Sequence, residues 1–199
     1  PNLGEINIEP TQKQIREIFL NRIVQGKGLT KAMDLVSGII MPTPSAMLVA
    51  MELLSDGWEE VPGIGELVGV DLGGATTDVY SVADGNPANA STVIKGLPEP
   101  YTKRTVEGDI GMRYSVKGIL EAVGERRLSK ISGINKNRVV ELVSWLEQHT
   151  DYIPDNEEME KMDYALACAA VETAVERHSG SLEQVFTPCG LTYVQSGKD

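Results

Sequence analysis

No uninterrupted apolar run in the 199 residues approaches the roughly 18 to 20 positions that a membrane span needs. The amino end, PNLGEINIEPTQKQ, is polar and lacks the charged start and apolar centre of a signal peptide. A cytoplasmic protein is therefore expected. Cysteine is scarce: Cys168 and Cys189 are the only two, far apart and without a C-x-x-C spacing. That excludes a paired-cysteine zinc site and a disulfide framework, and leaves each as a small buried hydrophobe. Basic residues are outnumbered, 18 against 29 acidic ones, for a formal net charge of −11 at pH 7. Such a balance disfavours nucleic acid and anionic lipid as partners, though a local basic patch can still meet a nucleotide. Neither of the two best-known phosphate loops is present, since there is no G-x-x-x-x-G-K-[ST] and no G-x-G-x-x-G opening a helix. Repeats of 20 to 50 residues and low-complexity tracts are missing too. The chain opens on Pro1 in place of Met and closes on a polar SGKD, so it is expected to be a piece of a longer protein.

What is present is an ordinary globular composition, 41 % hydrophobic and 24 % charged, in a chain long enough to bury a core as one domain or two closely joined lobes. The stretch to organise it around is 66–82, ELVGVDLGGATTDVYSV. Leu67, Val68 and Val70 form a short β-branched run, and Thr77, Val79 and Tyr80 resume extended character beyond a glycine pair. The layout predicts strand, tight turn, strand. Gly73 and Gly74 remove two Cβ atoms where the chain reverses, so backbone N–H groups can face an anion as a concave nest. Asp71, at the mouth of the strand, suits a Mg²⁺ held through water or an attacking water, and Thr76 offers a hydroxyl to a phosphate oxygen. The plain alternative is a Gly-Gly hairpin whose Asp and Thr only satisfy backbone groups.

In chain order, 10–26 reads as an amphipathic helix with Thr11 as N-cap, Ile15, Ile18, Phe19 and Ile23 on one face, and Gly26 as its stop. A second helix is expected from Thr30, broken by Gly38, Pro42 and Pro44. A third runs from Thr43 or Pro44 to Gly57, packing Met47, Leu48, Met51 and Leu54. A loop through Gly57, Pro62, Gly63 and Gly65 follows, with Trp58 read as packed. After the hairpin, 91–94 predicts a third strand. The block GLPEPYTKRTVEGDIGMRYSVKGIL then begins extended, carrying Lys103, Arg104 and Glu107, and ends as a helix start with Asp109 as N-cap and Ile110, Met112, Val116 and Ile119 as its inner face. Lys103, Arg104 and Arg113 form a small basic cluster, either solvated charges paired with Glu99 and Glu107 or a contact surface for a nucleotide or a partner. A charged stretch, GERRLSK, precedes a helix over 136–149 capped by Asn135, and a last long helix reaches Ser179 with Gly180 as its cap. His149, alone near a helix end, is read as non-catalytic. One more strand or a loose tail is expected over 181–199.

The nonapeptide Asp71-Leu72-Gly73-Gly74-Ala75-Thr76-Thr77-Asp78-Val79 resembles the second phosphate loop of the actin, sugar kinase and heat-shock chaperone ATPase superfamily, with Ala75 where the chaperones carry a third glycine. Pro42-Thr43-Pro44-Ser45-Ala46 stands before it as a Pro-Thr-Ala-Ala-Ala helix does in the chaperones, and Gly108-Asp109 with Arg113 resembles their Gly-Gly-Glu-Asp segment. With MPTPSA and EPYTKRTVEGDIGMRYS, the chain over nearly its whole length is similar to the glutamate mutase accessory proteins, the MutL or GlmL family. The resemblance implies an α/β, actin-like ATPase lobe of ribonuclease H-like type, in three parts: a helical lead-in over 1–65, a sheet with the phosphate loop over 66–110, and a helical subdomain over 111–199. It further implies ATP and Mg as ligands, adenosylcobalamin-dependent mutase subunits as partners, and a reactivating role in which damaged cobalamin is exchanged at the expense of ATP. By the same transfer, Asp71 holds Mg²⁺ through water or positions the attacking water. Gly73, Gly74, Ala75, Thr76 and Thr77 make up the nucleotide-binding turn, and Asp78 stabilises it. The family's first phosphate loop, Asp-x-Gly-x-Thr, and its Gly-Gly adenosine motif are missing here, so weak or no ATP hydrolysis is expected from this piece alone. A scaffold domain of the same fold and a small-molecule kinase are the alternatives.

Overall fold

In the computed structural model the described residues are 10, 11, 14, 15, 17, 18, 43–87, 92–96, 99–188 and 190–197. They form a mixed α/β protein of four helices and eight strands: α1 (Thr43–Asp56), β1 (Gly57–Trp58), β2 (Val61–Pro62), β3 (Leu67–Leu72), β4 (Thr77–Val82), β5 (Thr92–Ile94), β6 (Thr102–Glu107), α2 (Val116–Ser132), α3 (Lys136–Gln148), α4 (Glu157–His178), β7 (Ser181–Thr187) and β8 (Gly190–Ser196). The chain divides into two compact units, 1–50 and 51–199. In the first, Ile15 and Ile18 are helical and exposed. Pro10, Thr11, Gln14 and Glu17 are helical as well, so Thr11 lies inside the helix and is not its N-cap. The remaining positions of the expected 10–26 helix, and the helix from Thr30, lie outside the described residues, as does Cys189.

The second unit is built on the antiparallel sheet β3-β4-β6. The register pairs Asp71 with Asp78 and Leu72 with Thr77 across β3-β4, and Tyr80 with Arg104 across β4-β6. Side chains alternate between faces along a strand. Val70, Leu72, Thr77, Val79, Ser81, Lys103, Thr105 and Glu107 therefore share one face, and Asp71, Asp78, Tyr80 and Arg104 the other. The first face meets the end of α4. There the buried His178 lies with Nε2 2.8 Å from Ser81 Oγ and Nδ1 2.8 Å from Thr105 Oγ1, and Lys103 donates to its carbonyl at 2.6 Å. On the second face a Cβ at Gly69 would stand 2.6 Å from the Met51 methyl, which places the end of α1 there.

The larger apolar cluster joins α2, α3 and α4. Ile119, Leu128, Val139, Leu146, Met162 and Leu166 are fully buried, with Ala165, Ala169 and Ala170 letting the helices approach closely. Each large side chain there contributes about 1.5–3 kcal/mol relative to exposure. Asn135 caps α3 by accepting from the Asn137 amide at 3.0 Å, and Asn156 caps α4 by accepting from Met159 at 3.0 Å. The C-cap of α4 is Ser179, one residue before the expected Gly180.

Several expectations change. Asp109 caps no helix: α2 starts at Val116, with Ser115 at the N-cap position, because Arg177 takes the Asp109 carboxylate at 2.8 and 3.0 Å. GERRLSK is the second half of α2, beyond a break at Gly124 (φ 77°, ψ 160°). The 181–196 segment is two strands, and β8 pairs in parallel with β5 to make a separate sheet ordered β5-β8-β7. Trp58 is 64 % exposed on a short β1-β2 ribbon inside the expected loop. Leu54 faces outward, and Ser55 takes the inner position. Among the described residues no helix is long and apolar enough to cross a membrane.

Candidate functional site

The turn between β3 and β4 is closed on itself and braced from below. Gly73 donates its amide to Thr76 O at 2.9 Å, and a Cβ on Gly73 would sit 2.9 Å from that same oxygen, so the tight closure explains the glycine. The carbonyls then point down onto the 110–114 segment: Gly73 O accepts from Met112 at 3.0 Å, and Gly74 O from Arg113 at 2.9 Å and Tyr114 at 2.8 Å. Gly111 is buried beneath Ala75, where a Cβ would stand 2.4 Å from the Ala75 carbonyl carbon. Among the described residues no backbone acceptor takes the amides of Gly74, Ala75 or Thr76. Gly74 and Ala75 are exposed and Thr76 is half-buried.

The predicted site residues are thus divided. Asp71, Gly74 and Ala75 are exposed and Thr76 is half-buried, whereas the Gly73 amide is internally bonded. Thr77 is fully buried and donates its hydroxyl to Ile110 O at 2.9 Å, so it anchors the turn from inside. Thr77→Val, which preserves shape, is expected to cost about 1–2 kcal/mol by leaving that carbonyl unpaired. Urea unfolding checks it, and a loss under about 0.5 kcal/mol would mean the anchor carries nothing.

Asp71 is exposed at the end of β3, and among the described residues no side chain bonds its carboxylate. Its cross-strand neighbour Asp78 is not free: Arg104 Nε donates to it at 2.8 Å, and the guanidinium lies 6.0 Å from the centre of the Tyr80 ring. The two carboxylates therefore differ in kind, one neutralised and one open. Among the described residues no group of three or more His, Cys, Asp or Glu side chains is gathered to hold a metal ion.

The basic cluster read from the sequence is not a patch. Lys103 pairs with Glu99 at 2.6 Å on the α4 face, Arg104 with Asp78 on the opposite face, and Arg113 makes a two-pronged bond to Asp163 at 3.1 and 2.6 Å. Glu107 pairs instead with Arg177, at 2.7 Å. Arg177, bonded to Asp109 and then Glu107, is held above its usual range, and its bond to Asp109 holds that carboxyl below the ordinary one. Sequence reading missed both the Gly111 brace and Arg177. Gly111 had a signal in the Gly-Asp-Ile-Gly spacing; Arg177, 68 residues from Asp109, had none.

Comparison with known proteins places these features in context. A family model described as MutL protein matches residues 1–199. Protein MutL of Clostridium tetanomorphum is 45 % identical over 199 residues, covering 100 % of this chain and 43 % of that protein, so the chain spans well under half the length of this relative. No solved structure matches.

Proposed function

The chain belongs to the MutL protein family, and from that premise we propose that the full-length protein binds Mg-ATP at the 71–76 loop and works as a reactivating, chaperone-like ATPase for an adenosylcobalamin-dependent mutase such as glutamate mutase. The observation that carries the nucleotide part is the division of the turn. The Gly73 and Gly74 carbonyls face inward to 112–114, and among the described residues the amides of 74–76 have no backbone acceptor and the Asp71 carboxylate no side-chain partner. An actin-like lobe belongs to the same proposal and rests on the likeness of this strand-turn-strand unit to the superfamily's second phosphate loop.

The donor set fits a hydrated Mg²⁺. Asp71 would offer a single hard oxygen to the ion through water, and Mg²⁺ in phosphate sites keeps several waters. When bound, the ion would neutralise phosphate charge. The chain's own part is positional: the amides of Gly74, Ala75 and Thr76 hold phosphate oxygens, the Thr76 hydroxyl adds a contact, and Asp71 orients the attacking water. No covalent nucleophile is needed, because phosphoryl transfer to water is mostly positioning and electrostatics.

The test is Asp71→Ala in the full-length protein. ATP hydrolysis is expected to fall about 100-fold, the scale of removing one preorganised polar contact, and rescue of the mutase is expected to fail. The isolated 199-residue chain is expected to bind Mg-ATP weakly or not at all, and micromolar affinity in a calorimetric titration would overturn that. One specific observation favours a scaffold reading: the Gly73 amide and the Thr77 hydroxyl are both internally bonded. ATPase and mutase rescue untouched by Asp71→Ala would establish it.

A further inference from the structure

The helices α3 and α4 part around a cleft of about 550 Å³, within the range of about 300–1,000 Å³ typical of ligand pockets. None of its lining residues belongs to β3, β4 or the turn between them. Leu142 and Met159, each 4 % exposed, make an apolar floor. One wall is the Trp145 indole, 40 % exposed, stacked on His149 at 4.0 Å and set edge-on to Tyr152 at 4.8 Å, so its orientation is fixed in advance.

The rim carries three carboxylates, Glu141, Asp155 and Glu158, and one guanidinium, Arg138. Arg138 is already engaged: it donates to Glu158 at 2.8 and 3.1 Å and to Glu141 at 3.2 Å. Asp155 has only neutral donors, the Tyr152 hydroxyl and the Asn156 amide at 2.9 Å. Among the described residues no cation bonds it. The Tyr152 hydrogen bond holds its carboxyl below the ordinary range, as the Arg138 bond does for Glu158, so both are charged at neutral pH. A cleft with an apolar floor, a fixed indole and an ionised carboxylate lacking a cation is complementary to one kind of group.

We propose that this cleft seats a long cationic side chain, arginine or lysine, presented by a basic segment of a partner protein. The methylene stem lies along Leu142 and Met159, as long basic side chains cover apolar surface while keeping the head polar. The cationic head meets the Trp145 indole and the Asp155 and Glu141 carboxylates. Charge complementarity selects this occupant over others. An anionic ligand faces three carboxylates, a purely apolar one covers Asp155 without pairing it, and a chain of net charge −11 is attracted to basic partners over its whole surface.

The probe is acetyl-Ala-Arg-Ala-amide, titrated into the 199-residue chain at constant ionic strength with the Glu and Leu analogues as controls. The readout is the indole N–H of Trp145 by NMR, with Trp58 as an internal reference. The arginine peptide is expected to shift Trp145 saturably with millimolar affinity. Asp155→Asn is expected to weaken it about fivefold, the upper end for a solvent-exposed ion pair, and Glu141→Gln by less. An equal response to the Glu or Leu peptide overturns the proposal. So does no saturable shift with arginine, or unchanged affinity in both variants. Displacement of the Trp145 signal by AMP but not by the arginine peptide would assign the cleft to a nucleotide and also overturn it.

Discussion

Gly111→Ala is expected to destabilise the chain by about 3 kcal/mol, at or above the upper end for overpacking a buried position. The added Cβ would lie 2.4 Å from the Ala75 carbonyl carbon and 2.7 Å from the carbonyl oxygens of Gly74 and Ala75. All three atoms are backbone, so no side chain can swing aside. Relief requires the 73–76 turn to lift off the 110–114 segment. That movement stretches the three hydrogen bonds that Gly73 and Gly74 accept from Met112, Arg113 and Tyr114, each contributing about 1 kcal/mol net. A control lies three residues away. Gly108 is exposed, and a Cβ there would meet nothing within 4 Å. Gly108→Ala is therefore expected to stay within about 0.5 kcal/mol of the parent chain. Urea unfolding followed by circular dichroism separates the two; equal midpoints for Gly108→Ala and Gly111→Ala would mean that the turn does not rest on this segment.

That contrast marks what was legible in the sequence. The β3 and β4 strands and their turn were readable because everything that makes them is local: β-branched residues on either side of a glycine pair. The Asn135 cap was readable for the same reason, a polar residue immediately before an apolar-periodic run. The Asn156 cap was not singled out, because Glu157, Glu158 and Glu160 surround the start of α4 with acidic residues. What supports the turn was not readable. Thr77 looks like one more hydroxyl of a phosphate loop until Ile110, 33 residues on, is seen to receive it. Asp109 has the local form of an N-cap, but a guanidinium 68 residues away takes its carboxylate and the helix begins later. The Lys103, Arg104 and Arg113 cluster fails for a geometric reason: neighbours along a strand point to opposite faces, so adjacency in sequence separates Lys103 from Arg104 in space.

Arg113 has the second largest expected effect, because it ties three parts of the helical unit together. Its guanidinium makes the paired bonds to Asp163 on α4, donates through Nε to Tyr152 O at 3.2 Å, and through Nη1 to Met112 O at 2.7 Å. The side chains of Arg113 and Asp163 are 13 % and 20 % exposed, so the pair is mostly but not wholly shielded from water. Removing one partner of a fully buried pair costs about 3–5 kcal/mol, and the residual exposure lowers that here to about 3. Arg113→Met keeps the stem and removes the head, leaving the Asp163 carboxylate without its cation and two carbonyls without donors. Arg113→Lys is expected to recover less than half of the loss, since a lone ammonium cannot reproduce the planar fork. The decisive measurement is a double-mutant cycle with Asp163→Asn. If the pair is the main tie, Asp163→Asn in the Arg113→Met background should cost little or even restore stability, with a coupling energy above about 1 kcal/mol. Additive losses would show instead that Arg113 acts through the Tyr152 and Met112 carbonyls. The brace under the turn would then depend on backbone pairing rather than on charge.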